Sequence, residues 1–351
     1  MTKAWSTAAT IQDDLGPAED GHEVVASTRG VRVVGFFGKY GTLVVLGVMI
    51  VLFTALLGEK FFSVSNFENI LVQSTISVVI ALGLTMVLMV GEFDLSVGYV
   101  ASLAGVMTAA LYGGSTGNKL LMVLAVVGTG ALVGLINGLV VTKLGVNALV
   151  ATLGVGSLVV GVNYYVTEGT PQSLDESGLD LLQIYLGRIG PIPWAVVVLI
   201  GVTALLWLVL NKTTFGLEVQ AVGGNRVAAE LSGIRVHRVV IAAFVIGGLL
   251  AALGGLLITA NVGSGQSTGG EGFLLSSFAA AFLGSAALRN GEFHVLGTLI
   301  GVLTVAVGIN GMAIYGVSAS ASYIFQGALL IAAVGMSTAA RRRIAGRRVG
   351  H

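Results

Sequence analysis

The stretch Val90–Val100, VGEFDLSVGYV, places two carboxylates, Glu92 and Asp94, between the apolar runs ISVVIALGLTMVLM and ASLAGVMTAAL. A second stretch, Gly291-Glu292-Phe293-His294, repeats Gly91-Glu92-Phe93 and ends on an imidazole. Ionisable groups in apolar surroundings mark pathways or proton relays. Glu92, Asp94, Glu292 and His294 would together suit a proton-coupled secondary transporter. The plainer use is local: Asp94 or Ser96 can accept hydrogen bonds from the exposed amides that begin a new helix. A carboxylate costs about 2.5–3.5 kcal/mol at a bilayer centre and much less near an interface or a water-filled cavity. The stretch 91–96 is therefore either a wet turn between two spans or a discontinuous helix dipping into the membrane. With no third carboxylate or His beside it in the sequence, it is not read as a metal site.

Other chemistry is sparse. The chain has no GxxxxGK[ST] phosphate loop, no HExxH and no Cys. Its four His residues, His22, His237, His294 and His351, are scattered. Catalysis and resident cofactors are not expected. The neutral polar residues Gln73, Ser74, Thr75, Asn137 and Asn310 lie within apolar runs, where they can hydrogen-bond a hydroxyl-rich solute or join helix to helix.

The elements that hold these residues must be membrane helices. Of 351 residues, 55% are hydrophobic and only 10% charged, against roughly 25% charged in soluble domains. Mean hydropathy is +0.94. A net charge of +1 gives no electrostatic case for nucleic acid. Apolar runs near 41–58, 68–90, 96–112, 120–142, 146–166, 192–210, 239–261, 274–288, 295–315 and 320–338 predict ten spans. Most suffice for roughly 30 Å of hydrocarbon at about 1.5 Å per residue; 274–288 is short. All are helical, because unpaired backbone cannot face lipid. The polar stretch 1–38 reads as a mobile tail, 39–339 as one membrane domain, and 340–351 as a basic tail. The first apolar run begins too late for a signal peptide.

Lys and Arg orient the chain. Arg29, Arg32 and Lys39 precede the first span; Lys212, Arg226, Arg235 and Arg238 occupy the connection 211–238; Arg341, Arg342, Arg343, Arg347 and Arg348 follow the last span. Even numbers of spans separate these groups, so all three, and both termini, are expected in the cytoplasm. The connections 167–191 and 263–272 then fall outside. Gly130, Gly134 and Gly138, the pairs Gly247/Gly248 and Gly254/Gly255, and Gly297 with Gly301 predict faces of close helix approach. Ile136-Asn-Gly-Leu139 recurs as Ile309-Asn-Gly-Met312, and a GEF turn precedes each ING span; the two offsets differ, so either one half of an internal repeat holds an insertion or the matches are partly chance. Within 211–238, Asn225–Gly233 reads as a short helix stopped by glycine.

Four segments carry a resemblance in register from about residue 65 to 338. GEFDLSVGYVASLAGV, NGLVVTKLGVNALVATLGVGSLVVG, TTFGLEVQAVGGNRVAAELSGI and AAAFLGSAALRNGEFHVLGTLIGVL resemble the signatures of the ribose-type permeases of bacterial ABC importers. The resemblance implies an all-α polytopic permease of the second importer type in the bacterial inner membrane, working as a homodimer. It implies a separate ATPase, often with two fused nucleotide-binding domains, which holds ATP and Mg. It also implies an extracytoplasmic binding protein delivering a monosaccharide or similar polyol-like solute. Carried over residue by residue, it makes 211–238 the ATPase coupling loop, with Gly223, Gly224, Asn225, Arg226, Ala228, Ala229, Glu230 and Gly233 as contact candidates. The small face of Ala228 and Ala229 is expected to dock. Gln73, Glu92, Asp94, Ser96, Asn137 and Asn310 are the pathway or gate candidates. Three stretches depart from the family pattern. Gly-Gly-Ile-Asp reads Gly91-Glu92-Phe93-Asp94, the later Gly-Gly-rich stretch reads Arg289-Asn290-Gly291-Glu292-Phe293, and Arg226-Val227 stand where acidic residues are frequent. Glu92, which the motif does not match, is expected to point into water.

Overall fold

The computed structural model describes residues 28–112, 119–174, 179–288 and 291–349. Most of the N-terminal tail lies outside the described residues, as do Arg289 and Asn290. The order is α1 (Thr28–Leu57), α2 (Val64–Met89), α3 (Val97–Tyr112), α4 (Lys119–Lys143), α5 (Ala148–Thr167), α6 (Leu179–Leu186), α7 (Trp194–Lys212), α8 (Thr214–Gly224), α9 (Arg226–Leu231), α10 (Val236–Val262), α11 (Glu271–Ser285), α12 (Val295–Tyr315) and α13 (Ala319–Val349). Among the described residues seven helices are long and apolar enough to cross a bilayer, and three shorter apolar ones, in α3, α11 and α13, complete the expected ten. The fold is an all-α polytopic bundle. Helix α1 begins inside the stretch expected as a tail, and α13 continues through the basic stretch to Val349.

The core is built around α10. Cβ atoms at Gly130 and Gly134 of α4 would overlap the carbonyl oxygens of Gly248 and Phe244. Gly255 sits equally close to the Ala101 carbonyl of α3, and Gly254 to the Ile80 side chain of α2. In lipid, where apolar burial gives no drive for helices to associate, such backbone approach supplies the dispersion contacts instead. Helix α2 is buried from Val78 to Leu88. The pair α11–α12 repeats the device where Gly284 meets Gly297 and Gly301 meets Ala280.

Helices α3 and α11, with 16 and 15 residues, are only about 24 and 22 Å long at 1.5 Å per residue. Non-helical chain accompanies both. The segment 90–96 leads into α3. The segment 263–270, expected as an external loop, instead runs back along α3: a Cβ on Gly265 would strike Gly105 and Val106, and Gly270 lies against Gly98 and Ala101. The Gly270 amide donates to Ser102 Oγ at 2.9 Å, and Asn163 Nδ2 donates to the Ser267 carbonyl at 3.4 Å. The segment is polar because its backbone needs partners, and glycine-rich because it lies on backbone.

The connection 167–191, also expected as a loop, is folded. Strand β1 (Gln172–Ser173) pairs with β4 (Ser264–Gly265), and β2 (Arg188–Ile189) with β3 (Ile192–Pro193). Leu181 and Tyr185 of α6 are buried, and the Tyr185 hydroxyl donates to the Val72 carbonyl at 2.7 Å. Arg188 forms a bidentate ion pair with Glu68.

If backbone approach between α4 and α10 holds the core, Gly134→Ala will lower the melting temperature in detergent, overpacking costing about 1–3 kcal/mol. Gly128→Ala, on the same helix where a Cβ meets nothing within 4 Å, will leave it unchanged or raise it slightly. Thermal unfolding of both variants checks this; equal melting points would remove the argument.

Candidate functional site

The site begins where α2 stops. The Gly91 amide donates to the Leu88 carbonyl and the Glu92 amide to the Val87 carbonyl, both at 3.1 Å, with Gly91 at φ +82°. This is a Schellman closure, which calls for glycine at its left-handed position. The next three side chains leave in three directions.

Asp94 goes inward and is buried. Its Oδ1 accepts from the Ser96 amide at 2.8 Å and from the Ser96 hydroxyl at 2.6 Å. Ser96 Oγ in turn accepts from Asn137 Nδ2 of α4 at 2.8 Å. The Leu95 amide donates to Thr152 Oγ1 of α5 at 3.0 Å. The break thus ties α3, α4 and α5 together through polar groups. Asp94, Ser96 and Asn137, proposed separately from the sequence, form one buried network. Hydrogen bonds accepted by a carboxylate are roughly twice as strong as those between neutral groups.

Phe93 goes sideways. It stacks on Phe278 of α11 with ring centroids 6.3 Å apart. Phe278 meets Phe282 at 6.4 Å, and Phe282 meets Phe293 edge-on at 5.2 Å. Four rings therefore connect the two GEF turns. The turns are built alike: Gly291 also has a positive φ, +97°, and the fourth residue again accepts a backbone amide, His294 Nδ1 from Gly297 at 3.0 Å. The two GEF turns thus share a positive-φ glycine and an amide-accepting fourth residue, while Gly91 closes on Leu88 and Gly291 on Ser285, six residues back. The ING positions do not correspond. Asn310 exchanges two amide hydrogen bonds with Asn66 of α2, at 3.0 and 3.1 Å, on the helix that directly follows its turn. Asn137 stands on the second helix after its own.

Glu92 goes outward, to the end of the bundle where α8 and α9 sit. Its Oε1 accepts from Arg226 Nη1 at 2.7 Å. It therefore does not point freely into water, and two of the departures from the family pattern, Glu92 and Arg226, are each other's partners. The four groups expected to form a proton relay take separate tasks. Asp94 binds Ser96, Glu92 binds Arg226, and Glu292 is exposed. His294 caps α12, its Nε2 lying 2.8 Å from the Ala287 carbonyl. Among the described residues no three His, Cys, Asp or Glu side chains gather to hold a metal ion.

The connection 211–238 folds as two helices, not one. Thr213 Oγ1 caps α8 through the Gly216 amide, and Asn225 Oδ1 caps α9 through the Ala228 amide at 3.0 Å. Gly223 lies on the end of α2, where a Cβ would overlap the Met89 carbonyl oxygen; Gly224 faces open space. Gly233, at φ +83°, ends α9. Ala229 is buried whereas Ala228 and Glu230 are exposed, so the two alanines do not share an outward face. The outward apolar residues are Val227 and Leu231, 67% and 85% exposed, with Leu217 of α8 at 67%. The sequence reading missed them, although apolar residues four apart on a polar connection are a visible helix face.

Gln73 is exposed on α2 and bonds Asn69 at 2.9 Å, while the Ser74 and Thr75 hydroxyls donate to backbone carbonyls. Gln73 and Asn310 are not brought to the Asp94 network.

Asp94→Ala would strand the Ser96 amide and hydroxyl, and each buried unpaired group costs about 1–3 kcal/mol. The expected result is a clearly lower melting temperature in detergent, with Asp94→Asn, which keeps an acceptor, falling between it and the parent. An Asp94→Ala protein as stable as the parent would exclude this role.

Comparison with known proteins follows the same outline. Residues 66–334 match the family described as branched-chain amino acid transport system / permease component. The ribose import permease of Escherichia coli K12 is 34% identical over 295 residues, covering 84% of this chain and 91% of that protein. The D-allose transport permease of the same strain is 30% identical over 301 residues, covering 86% and 92%. The fructose import permease of Rhizobium meliloti is 33% identical over 298 residues, covering 83% of each. No solved structure matches the chain. With more than half its length matched and its breaks and caps falling within that match, the chain belongs to the branched-chain amino acid transport system / permease component family.

Proposed function

We propose that the chain is the membrane subunit of a bacterial ABC importer for a monosaccharide or a similar polyol-like solute. The observation that carries this reading is the agreement of relatives named for ribose, allose and fructose, each matched over four fifths or more of its length. Two copies would enclose the passage in the cytoplasmic membrane. A separate ATPase, holding ATP and Mg, would drive it, and an extracytoplasmic binding protein would deliver the solute. Lys212, Arg226, Arg235 and Arg238 at the α8–α9 end favour a cytoplasmic location for that end and for both termini.

The physical logic is that a neutral polyol exchanges its water hydrogen bonds for others of equal kind and needs no fixed counter-charge. The polar groups of the break at Asp94, Ser96 and Asn137 are the candidates for lining its route. The docking surface for the ATPase is α9 with its neighbour α8. Exposed Val227, Leu231 and Leu217 outside the spans supply an apolar centre, and Arg226 and Glu230 a polar rim.

Reconstitution tests the reading. Proteoliposomes holding the chain with its ATPase and binding protein, offered ribose, allose, galactose and fructose in turn, should take up one or more of them, and vanadate should stop uptake. No imposed proton gradient should be needed. Uptake of these sugars by the purified chain alone would sink the reading. For the docking surface, Ala228→Glu and Leu231→Asp should each reduce ATPase co-purification, since a charge buried in an apolar contact goes unpaired, while the variants still insert in the membrane. Undiminished co-purification in both would place the ATPase elsewhere.

A further inference from the structure

Three ion pairs occur among the described residues: Lys119–Asp180, Arg188–Glu68 and Arg226–Glu92. The first two lie at the far end of the bundle. The third alone stands at the α8–α9 end, and it joins a helix outside the spans to the break inside them. Helix α9 has only six residues, too few to hold its own shape or place without tertiary anchors. Its anchors are the buried Ala229, the Asn225 cap, and Arg226 on Glu92. Of these, only the ion pair reaches the GEFD turn.

The two partners are unequal. The Glu92 side chain is 15% exposed and that of Arg226 46%. The carboxylate is thus the fixed member. Its backbone is pinned by the bond from its amide to the Val87 carbonyl, and its neighbours Phe93 and Asp94 are each engaged. The guanidinium is the movable member, reaching in from α9. A pair shielded from solvent on one side is screened less than a surface pair. Any displacement of α9 therefore pulls on a residue two positions from Asp94, whose carboxylate holds Ser96 and, through it, Asn137.

We infer that Glu92 is a positioning residue for Arg226: the pair fixes α9 on the end of α2 and links the ATPase-docking helix to the Asp94–Ser96–Asn137 network. The inference rests on the proposed role of α9 and names the residue through which that role reaches the membrane interior. It also explains why an ionisable side chain stands at position 92 without serving proton transfer or cation binding.

The chain has no cysteine, so paired nitroxide labels can be attached at Glu230→Cys on α9 and Leu153→Cys on α5 without removing native thiols. In the permease alone, Glu92→Gln and Glu92→Arg should broaden the distance distribution between the labels, and Arg226→Glu should do the same. The double exchange Glu92→Arg with Arg226→Glu should restore a narrow distribution. In the assembled complex, Glu92→Arg should reduce vanadate-sensitive ATP hydrolysis about fivefold while the ATPase still co-purifies, and the double exchange should recover it, since a factor of that size matches an ion pair at the upper end of the exposed range. Restoration by the exchanged pair is the discriminating result, because a merely structural loss would be additive. Distributions unchanged in the single variants, or a double exchange no better than the worse single one, would overturn the inference. If the labels respond as expected but Ala228→Glu leaves ATPase binding intact, the pair stands as the anchor of α9 and the docking role fails. If Ala228→Glu abolishes binding while the label distances ignore Glu92, the docking role stands and the anchor fails.

Discussion

A helix that stops within a packed apolar bundle leaves amides and carbonyls that water cannot reach, and each must find a partner in the protein. Much of the structure answers that demand. The end of α2 turns its last carbonyls onto the Gly91 and Glu92 amides, and the start of α3 draws on Asp94 and Thr152. The segment 263–270 finds Ser102 and Asn163. The polar residues that stand out in the sequence are these partners. Most are committed within the chain.

Glycine serves the same constraint from the other side. A short helix with irregular chain beside it can stay in lipid only if neighbouring backbones come close enough to exclude voids. Gly105 and Gly265, Gly98 and Gly270, and Gly130 and Gly248 are meetings of this kind. They explain how α3, too short to cross alone, is enclosed by α10 and the returning segment after it.

Much of this was legible in the sequence, and the exceptions have physical causes. Ten apolar runs became ten apolar helices because length and hydropathy are local properties. The break at 90–96, the short helix stopped at Gly233, and the glycine faces were legible for the same reason. The stretch 263–272 was misplaced because glycine, serine and threonine suit chain in water and chain laid on backbone equally well. Helix α8 was overlooked although its buried residues Gly216, Val219 and Val222 recur at helical spacing; its three glycines read as loop. The matching ING tripeptides misled, since three residues fix no register. The partnership of Glu92 with Arg226 spans 134 positions and leaves no local trace. It becomes visible only once Gly223 is seated on the end of α2.

The row of rings along α11 carries a mechanical consequence. Phe278 and Phe282 are four residues apart and so project from one side of their helix. One touches the ring that leads α3, the other the ring that leads α12. A roll of α11 about its own axis swings both contacts the same way, like two cams cut on one shaft. The two halves of the chain are geared at this end, and a shift delivered to either turn is shared with the other through a single short helix.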